Sequence, residues 1–217
     1  MITPALLETA LVAFTTFFAT IGPVDVAAIY AALTTNSTPV ERRRMAVKGC
    51  LIAGAIMLAF LIFGNGVLSY MGITLPALRT AGGILLLLIG IKMVFAEPTG
   101  STSTTEDETR EATLKDDVSV FPLATPLIAG PGAMGAAVLL MGDTGGDIKL
   151  ASAVIGAMLS VLLITFVLLL IATQVQRFLG VTGLHVISRI FGVLLTALAV
   201  QFIFDGLKSS GLLSAGA

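Results

Sequence analysis

The chain has 217 residues, of which 56% are hydrophobic and 12% are charged, and its formal net charge is −1. Soluble domains carry about 25% charged residues, so this composition excludes an ordinary water-soluble domain. The near-zero net charge provides no basic surface for nucleic acid, which we do not expect as a partner. A single cysteine and a single histidine exclude a disulfide framework and a multi-histidine metal site, so we expect neither metal nor cofactor. A membrane protein in contact with the lipid bilayer remains.

Long apolar runs predict an all-α membrane protein with six transmembrane helices, since each crossing needs about 20 apolar residues. The runs lie near residues 5–35, 46–70, 75–96, 118–142, 150–173 and 185–207. Between the third and fourth runs, residues 97–117 are polar and acidic, which is typical of a linker. We therefore predict one integral membrane domain made of two three-helix repeats, residues 1–96 and 118–217.

The distribution of positive charge predicts how the chain is oriented. Nine of the twelve Lys and Arg residues, including the cluster Arg42–Arg44, fall on the side of the loops that follow the first, third and fifth spans. The positive-inside rule places that side in the cytoplasm. The prediction is a multi-pass protein of the inner (cytoplasmic) membrane with both termini outside.

Two of the six spans contain a Gly-Pro pair, which favours a broken helix. The pairs are Gly22-Pro23 in the first span and Gly130-Pro131 in the fourth. Proline removes a helical hydrogen bond and pushes the preceding residue out of the helical region. We predict two half-helices with an unwound residue between them in each of these spans.

The two breaks belong to an internal repeat. They lie 108 residues apart, and the same offset aligns Gly72-Ile73-Thr74 with Gly180-Val181-Thr182. With two more residues of offset, Arg79–Gly82 aligns with Arg189–Gly192. Because each half has an odd number of spans, the second half must enter the membrane in the opposite orientation. This inverted-topology repeat is the architecture of alternating-access transporters.

The breaks are the predicted binding site, because unwound backbone survives in a membrane only inside protein or beside a polar cavity. The half-helices that follow each break present N–H groups, and those that precede it present carbonyl groups. Such a pair suits the carboxylate and ammonium of a small zwitterion. The predicted substrate-binding residues are Thr20, Ile21, Gly22, Pro23, Asp25, Thr125, Ala129, Gly130, Pro131 and Gly132.

Asp25 has two compatible interpretations. A carboxylate at membrane depth is costly and indicates a functional site, where it would accept the ammonium of the solute or carry a proton. An aspartate in the first turn of a half-helix also caps exposed N–H groups. The second half has Ala133 at the aligned position.

Residues Pro122–Ala133 read PLATPLIAGPGA. This segment resembles the P-L-A-x-P-L-x-A-G-P-G-A signature of the MarC family, six-span inner-membrane proteins of bacteria and archaea. Members often carry N-P-I-G or D-P-I-G where this chain has Gly22-Pro23-Val24-Asp25, so an amide or acid before the proline is replaced by glycine. The resemblance implies a transporter of small neutral amino acids such as alanine and glycine, with proton-linked transport in some members.

Together these observations predict a secondary transporter of small neutral amino acids that works by alternating access and is proton-linked. The alternatives are an exporter of another small solute or ion, and a membrane scaffold that transports nothing. No enzyme is expected, since the sequence lacks a recognisable pairing of nucleophile and base. The chain also lacks a phosphate-binding loop for ATP.

Overall fold

The computed structural model describes residues 4–35, 37–95 and 117–211, and these are helical without strands. Apart from Asp117, the predicted linker lies outside the described residues. The helices are α1 (Pro4–Ile21), α2 (Pro23–Leu33), α3 (Pro39–Tyr70) and α4 (Leu75–Phe95), then a π-helical stretch, the π segment (Ser119–Ile128), followed by α5 (Pro131–Asp143), α6 (Ile148–Leu170) and α7 (Ala172–Ser209).

The lengths and apolar character of these helices confirm a multi-pass helical membrane protein. Among the described residues, five helices are long and apolar enough to cross a membrane, with α1 and α2 taken together as one span. The π segment and α5 form a sixth candidate, which is bent by 54°. The six spans thus follow the predicted order along the chain.

The first turn of α3 shows how local sequence sets a helix boundary. Thr38 caps the helix, with its hydroxyl accepting from the Glu41 N–H (3.3 Å) while the Glu41 carboxylate accepts from the Thr38 N–H (2.7 Å). Pro39 follows as the first helical residue, where its missing N–H costs nothing. This reciprocal cap starts the helix beside the arginine cluster.

The sequence prediction was incomplete in the last third of the chain. A loop was expected between the fifth and sixth spans, but α7 is continuous from Ala172 to Ser209, and residues 189–209 of it are apolar enough to cross the membrane. No proline interrupts this segment, and isolated glycines such as Gly180 cost a helix only about 1 kcal/mol each. The predicted loop is therefore a helical extension of the sixth span.

Helices α4 and α7 pack closely through glycines, as membrane helices often do. A Cβ on Gly90 would lie 3.1 Å from the Gly192 carbonyl oxygen, and one on Gly206 would lie 2.9 Å from that of Pro76. Since early α4 meets late α7 and late α4 meets early α7, the two helices are antiparallel.

Contacts between helix ends define two faces of the molecule. The arginine face holds the start of α3 with Arg42–Arg44, and also the end of α2, the start of the π segment and the α6–α7 junction, because Arg42 bonds Thr173 and Lys48 pairs with Asp117. The opposite face holds the start of α4 and the end of α5, which meet through Arg79 and Asp143.

Candidate functional site

The first interruption consists of a single residue. Helix α1 ends at Ile21 and α2 begins at Pro23, with Gly22 between them in the left-handed region (φ 61°, ψ 60°). The Gly22 N–H donates to the Phe18 carbonyl (3.0 Å), and the Gly22 carbonyl accepts from the Val26 N–H (2.9 Å). Glycine enters this conformation without the steric cost that a Cβ brings. The chain thus turns sharply while both helices keep their bonds up to the break.

The second interruption is longer than the sequence indicated. Phe121 and Thr125 have extended backbones (φ −129° and −134°) because each precedes a proline, Pro122 and Pro126. The N–H of Ala129 reaches back five residues to the Ala124 carbonyl (2.9 Å), as in a π-helix. The fourth span is therefore irregular from its start, and the two prolines were the sequence signal for this.

Packing brings the two broken spans together. Helix α1, before the first break, contacts α5, which follows the second break. Helix α2, after the first break, contacts the π segment, which precedes the second. Because the part before each break meets the part after the other, the spans run in opposite directions and their breaks lie side by side.

Most of the predicted site residues lie inside the protein. Ile21 and Ala129 have no exposed surface, Thr20 is 1% exposed, and Gly22, Pro23, Gly130 and Gly132 are buried. Asp25 and Thr125 are half-buried. The meeting point of the breaks is thus enclosed on both faces in this structure.

Pro131 differs from the other predicted residues because it is exposed. It lines an apolar groove of about 630 Å³ between α3, α4 and α5, together with Phe60, Phe63 and Met134. The start of α5 therefore lies at the outer side of the second break, and Gly132 and Ala133 form its buried side.

Thr16 is a candidate that the sequence reasoning missed. It is fully buried in α1, and its hydroxyl has no hydrogen-bond partner among the described residues. One turn later, the Thr20 hydroxyl donates to the Thr16 carbonyl (2.8 Å). An unpaired buried hydroxyl costs about 1–3 kcal/mol. The pair of threonines four residues apart in an apolar helix was the available signal, since that spacing puts both on one face.

The chemistry of this region is that of two helix starts and two helix ends. By position, the first N–H groups of α2 and α5 have no acceptor within their helices, and the last carbonyls of α1 lack donors. These groups carry partial positive and negative charge, respectively. Asp25 adds a carboxylate in the first turn of α2. No cluster of His, Cys, Asp or Glu suited to a metal ion occurs in the described part of the chain.

The fold and its two interrupted spans define an all-helical integral membrane protein. A family model described as "MarC family integral membrane protein" matches residues 7–210, and the chain belongs to the MarC family.

Curated relatives agree with this assignment along nearly their whole length. A UPF0056 membrane protein of Methanocaldococcus jannaschii is 38% identical over 92% of this chain and 96% of its own. One from Aquifex aeolicus is 36% identical over 91% of each chain, and YvbG of Bacillus subtilis is 34% identical over 90% of this chain and 92% of its own. No solved structure matches the chain.

Proposed function

We propose that this protein is a secondary transporter that moves small neutral amino acids, such as alanine and glycine, across the inner membrane by proton-linked alternating access. The observation that carries the proposal is the meeting of two interrupted spans inside the membrane domain. Free N–H groups at one side of each break and free carbonyls at the other complement a carboxylate and an ammonium group.

The proposal includes an inverted repeat, and the helix crossings support it. Gly54 of α3 and Leu162 of α6 are 108 residues apart in sequence, and a Cβ on Gly54 would lie 3.5 Å from the Leu162 side chain. The contacts of Gly83 with Ala199 and of Gly90 with Gly192 centre the crossing of α4 and α7 near Leu87 and Ala197, which are 110 residues apart. These are the two offsets of the sequence repeat.

A two-fold axis relating the halves must cross each such pair of equivalent helices at equivalent residues, which is the pattern found at both crossings. Partner choice agrees as well. The first span contacts the fifth (α1 with α6), and its counterpart, the fourth, contacts the second (the π segment and α5 with α3). Exchange of roles between two such halves is the basis of alternating access.

The walls of the proposed site favour a small solute. Ala19, Ala27, Ala133 and Ala136 border the breaks in sequence and are each at most 2% exposed. Their methyl side chains bring the helices close together and leave little room for a large side chain on the solute.

Counterflow in liposomes tests the proposal. Purified protein is reconstituted with unlabelled alanine or glycine inside, and uptake of the labelled amino acid is measured. We expect uptake that protein-free liposomes lack. Competition by a panel of amino acids, other small solutes and ions then separates the proposed substrate from an exporter of another solute. Absence of counterflow with every small amino acid would reject the amino-acid proposal, and absence with the whole panel would favour a scaffold.

Asp25 is proposed as the group that links transport to protons. We expect Asp25→Asn to keep amino-acid exchange but to remove the dependence of net uptake on an imposed pH gradient, because the amide retains the side-chain shape and cannot ionise. Asp147→Asn is a matched control, since Asp147 also begins a helix, accepting from the Lys149 N–H (2.7 Å), but lies away from the breaks. A wild-type response to the pH gradient in Asp25→Asn would contradict this role.

We also propose that the arginine face is cytoplasmic, with both termini outside, because the positive-inside rule favours that orientation. Ser210, after the end of α7, is exposed and lies on the opposite face. In a Cys50→Ser background, Ser210→Cys should react with a membrane-impermeant maleimide in intact cells. Reaction only after the membrane is opened would reverse the orientation.

A further inference from the structure

Arg42 holds the far end of α2 on the arginine face. Its guanidinium donates to the carbonyls of Thr34 (2.8 Å) and Thr35 (3.1 Å), which directly follow the last helical residue. The same guanidinium donates to the Thr173 hydroxyl (2.8 Å), at the start of α7 in the other half of the chain. The buried Tyr30 hydroxyl donates to the Arg42 carbonyl (2.5 Å) and fixes the backbone of the arginine. We name this set of bonds the Arg42 clamp.

A polar cavity of about 530 Å³ opens at the Arg42 clamp. Its walls come from both halves of the chain: Tyr30, Thr34 and Arg42 on one side, Leu169, Thr173 and Gln174 on the other. Tyr30 and Thr34 are 1% exposed, so the cavity reaches α2, the half-helix that begins at the first break. The clamp thus spans the cavity between the two halves.

Arg79 holds the far end of α5 on the opposite face. Its Nε donates to the carboxylate of Asp143, the last residue of α5, at 2.5 Å. The two side chains are 24% and 26% exposed, so the pair is largely shielded from water. Arg79 comes from the first half of the chain and Asp143 from the second, so this pair also joins the halves. We name it the Arg79 clamp.

The two clamps share one design. Each fastens the end of the half-helix that follows a break, where carbonyl groups and a carboxylate attract a cation. The two half-helices, α2 and α5, are aligned by the 108-residue offset, and their ends lie on opposite faces. Between the clamps, the breaks are buried. The structure is therefore closed on each side by one arginine.

We propose that Arg42 and Arg79 are gating residues, and that transport requires the Arg42 clamp to release on the arginine face and the Arg79 clamp to release on the opposite face, in turn. The proposal rests on the alternating-access function proposed above. Movement of α2 away from α7 breaks the bond from Arg42 to Thr173, and movement of α5 away from α4 breaks the bond from Arg79 to Asp143. Each release opens a route to the breaks along one half-helix.

The third polar link between the halves serves as a contrast. Lys48 and Asp117 pair at 2.7 Å on the arginine face, but their side chains are 49% and 51% exposed. A water-exposed pair contributes little energy and shields nothing behind it. We therefore assign gating to the two clamps and not to this pair.

Side-specific cysteine labelling tests the proposal without any solute. Cys50→Ser removes the native thiol, and Thr20→Cys puts a probe next to the first break, at a position 1% exposed in this structure. A membrane-impermeant maleimide is applied to right-side-out and to inside-out vesicles. Arg42→Gln is expected to speed labelling at least fivefold from the arginine face only, and Asp143→Asn at least fivefold from the opposite face only.

Arg44→Gln is the matched control, because Arg44 is an exposed neighbour of Arg42 on α3, and it should leave both labelling rates unchanged. Equal acceleration from both faces, acceleration from the same face by both variants, or no acceleration by either would overturn the proposal. Size-exclusion chromatography identifies a variant that does not fold.

A second measurement uses folded protein even if a clamp variant unfolds. Arg79→Cys and Asp143→Cys are joined by a short bifunctional thiol reagent in the Cys50→Ser background. The cross-link is expected to stop counterflow, and a reducing agent should restore it. Counterflow that continues through a fully cross-linked protein would overturn the gating role of Arg79.

The two proposals fail in different ways. If the substrate is another solute, counterflow of amino acids is absent while the opposite labelling effects of the two clamp variants remain. If the clamps are only structural links, counterflow is present and the labelling effects are absent.

Discussion

The first and fourth spans occupy equivalent positions in the proposed repeat, yet they interrupt their helices differently. The first uses one left-handed glycine, Gly22, while the fourth uses two prolines in the π segment and the extended Gly130. Their side chains differ as well. Thr16, Thr20 and Asp25 of the first span align at the 108-residue offset with Ala124, Ile128 and Ala133 of the fourth, which are fully buried.

The difference separates shape from chemistry. Both spans present helix starts and helix ends at the same depth, but only the first adds hydroxyl and carboxylate groups near its break. The second is shaped by packing, since α3 presses glycines against it on both sides of the break: Gly49 against Leu123, and Gly64 against Val138. We therefore expect substitutions in the first span to affect solute and proton selectivity, and those around the second to affect stability.

The largest effect is expected where α3 meets the fourth span. A Cβ on Gly64 would lie 2.5 Å from Val138 Cγ2 and 3.2 Å from its Cβ, close to the rigid part of a branched side chain. Gly64→Ala should lower the free energy of unfolding by about 1–3 kcal/mol, as overpacking does. Adding Val138→Ala should recover most of the loss in chemical denaturation. Gly66→Ala, where a Cβ meets nothing within 4 Å, is the control.

Gly22→Ala tests the left-handed turn of the first span. An L-residue in this conformation costs about 1–2 kcal/mol, so we expect a loss of stability of that size, together with loss of counterflow. Gly72→Ala provides a control, because Gly72 has a similar φ of 71° with open space around it but lies outside the breaks. It should lose stability and keep counterflow. Normal counterflow in Gly22→Ala would show that the turn is not needed for transport.

Gly130→Ala sharpens the same contrast in the fourth span. Gly130 has φ −83° and ψ 168°, an extended conformation that alanine adopts without backbone strain. Its cost in thermal stability should therefore be smaller than that of Gly22→Ala. A larger loss for Gly130→Ala would mean that close packing, and not φ, fixes the second break.

Thr16→Val asks whether polar chemistry near the first break contacts solute. Removing a buried hydroxyl without a partner should stabilise the protein by about 1 kcal/mol in chemical unfolding. If the hydroxyl binds solute, the KM of counterflow should rise about tenfold, the equivalent of 1.4 kcal/mol. Thr20→Val is the comparison, since its hydroxyl already bonds the Thr16 carbonyl. An unchanged KM in Thr16→Val would remove Thr16 from the site.

The smallest effect is expected at the start of the fourth span. The hydrogen bond from Lys48, followed by those from Ser119, lowers the pKa of Asp117 from 3.8 to about 2. A carboxylate with a lowered pKa stabilises the fold above pH 3.8, and this contribution disappears as the pH falls through 2. Asp117→Asn should cost less than about 0.5 kcal/mol, because the pair is exposed. The difference in melting temperature between variant and wild type should be constant from pH 7 to about 4 and narrow below that.

Much of the fold followed from apolar runs, which predicted the spans and their order because the hydrocarbon thickness fixes the length of a crossing. The irregular start of the fourth span was not predicted, although Pro122 and Pro126 were visible, since their effect depends on the extended backbones of Phe121 and Thr125. Thr16 was missed for a related reason. Burial and the absence of a hydrogen-bond partner are properties of packing, which the sequence of one helix does not contain.

The sequence by itself determined the solvent of this protein, the number of its crossings and the two positions where its helices are interrupted. Hydropathy, proline and glycine act locally, through the bilayer and the backbone, so their consequences can be deduced from the chain alone. Tertiary structure decided which helices pair, that the two breaks lie side by side, and that Arg42 and Arg79 bond across the halves. Those bonds join residues 131 and 64 positions apart, and only the packing of the spans brings them together.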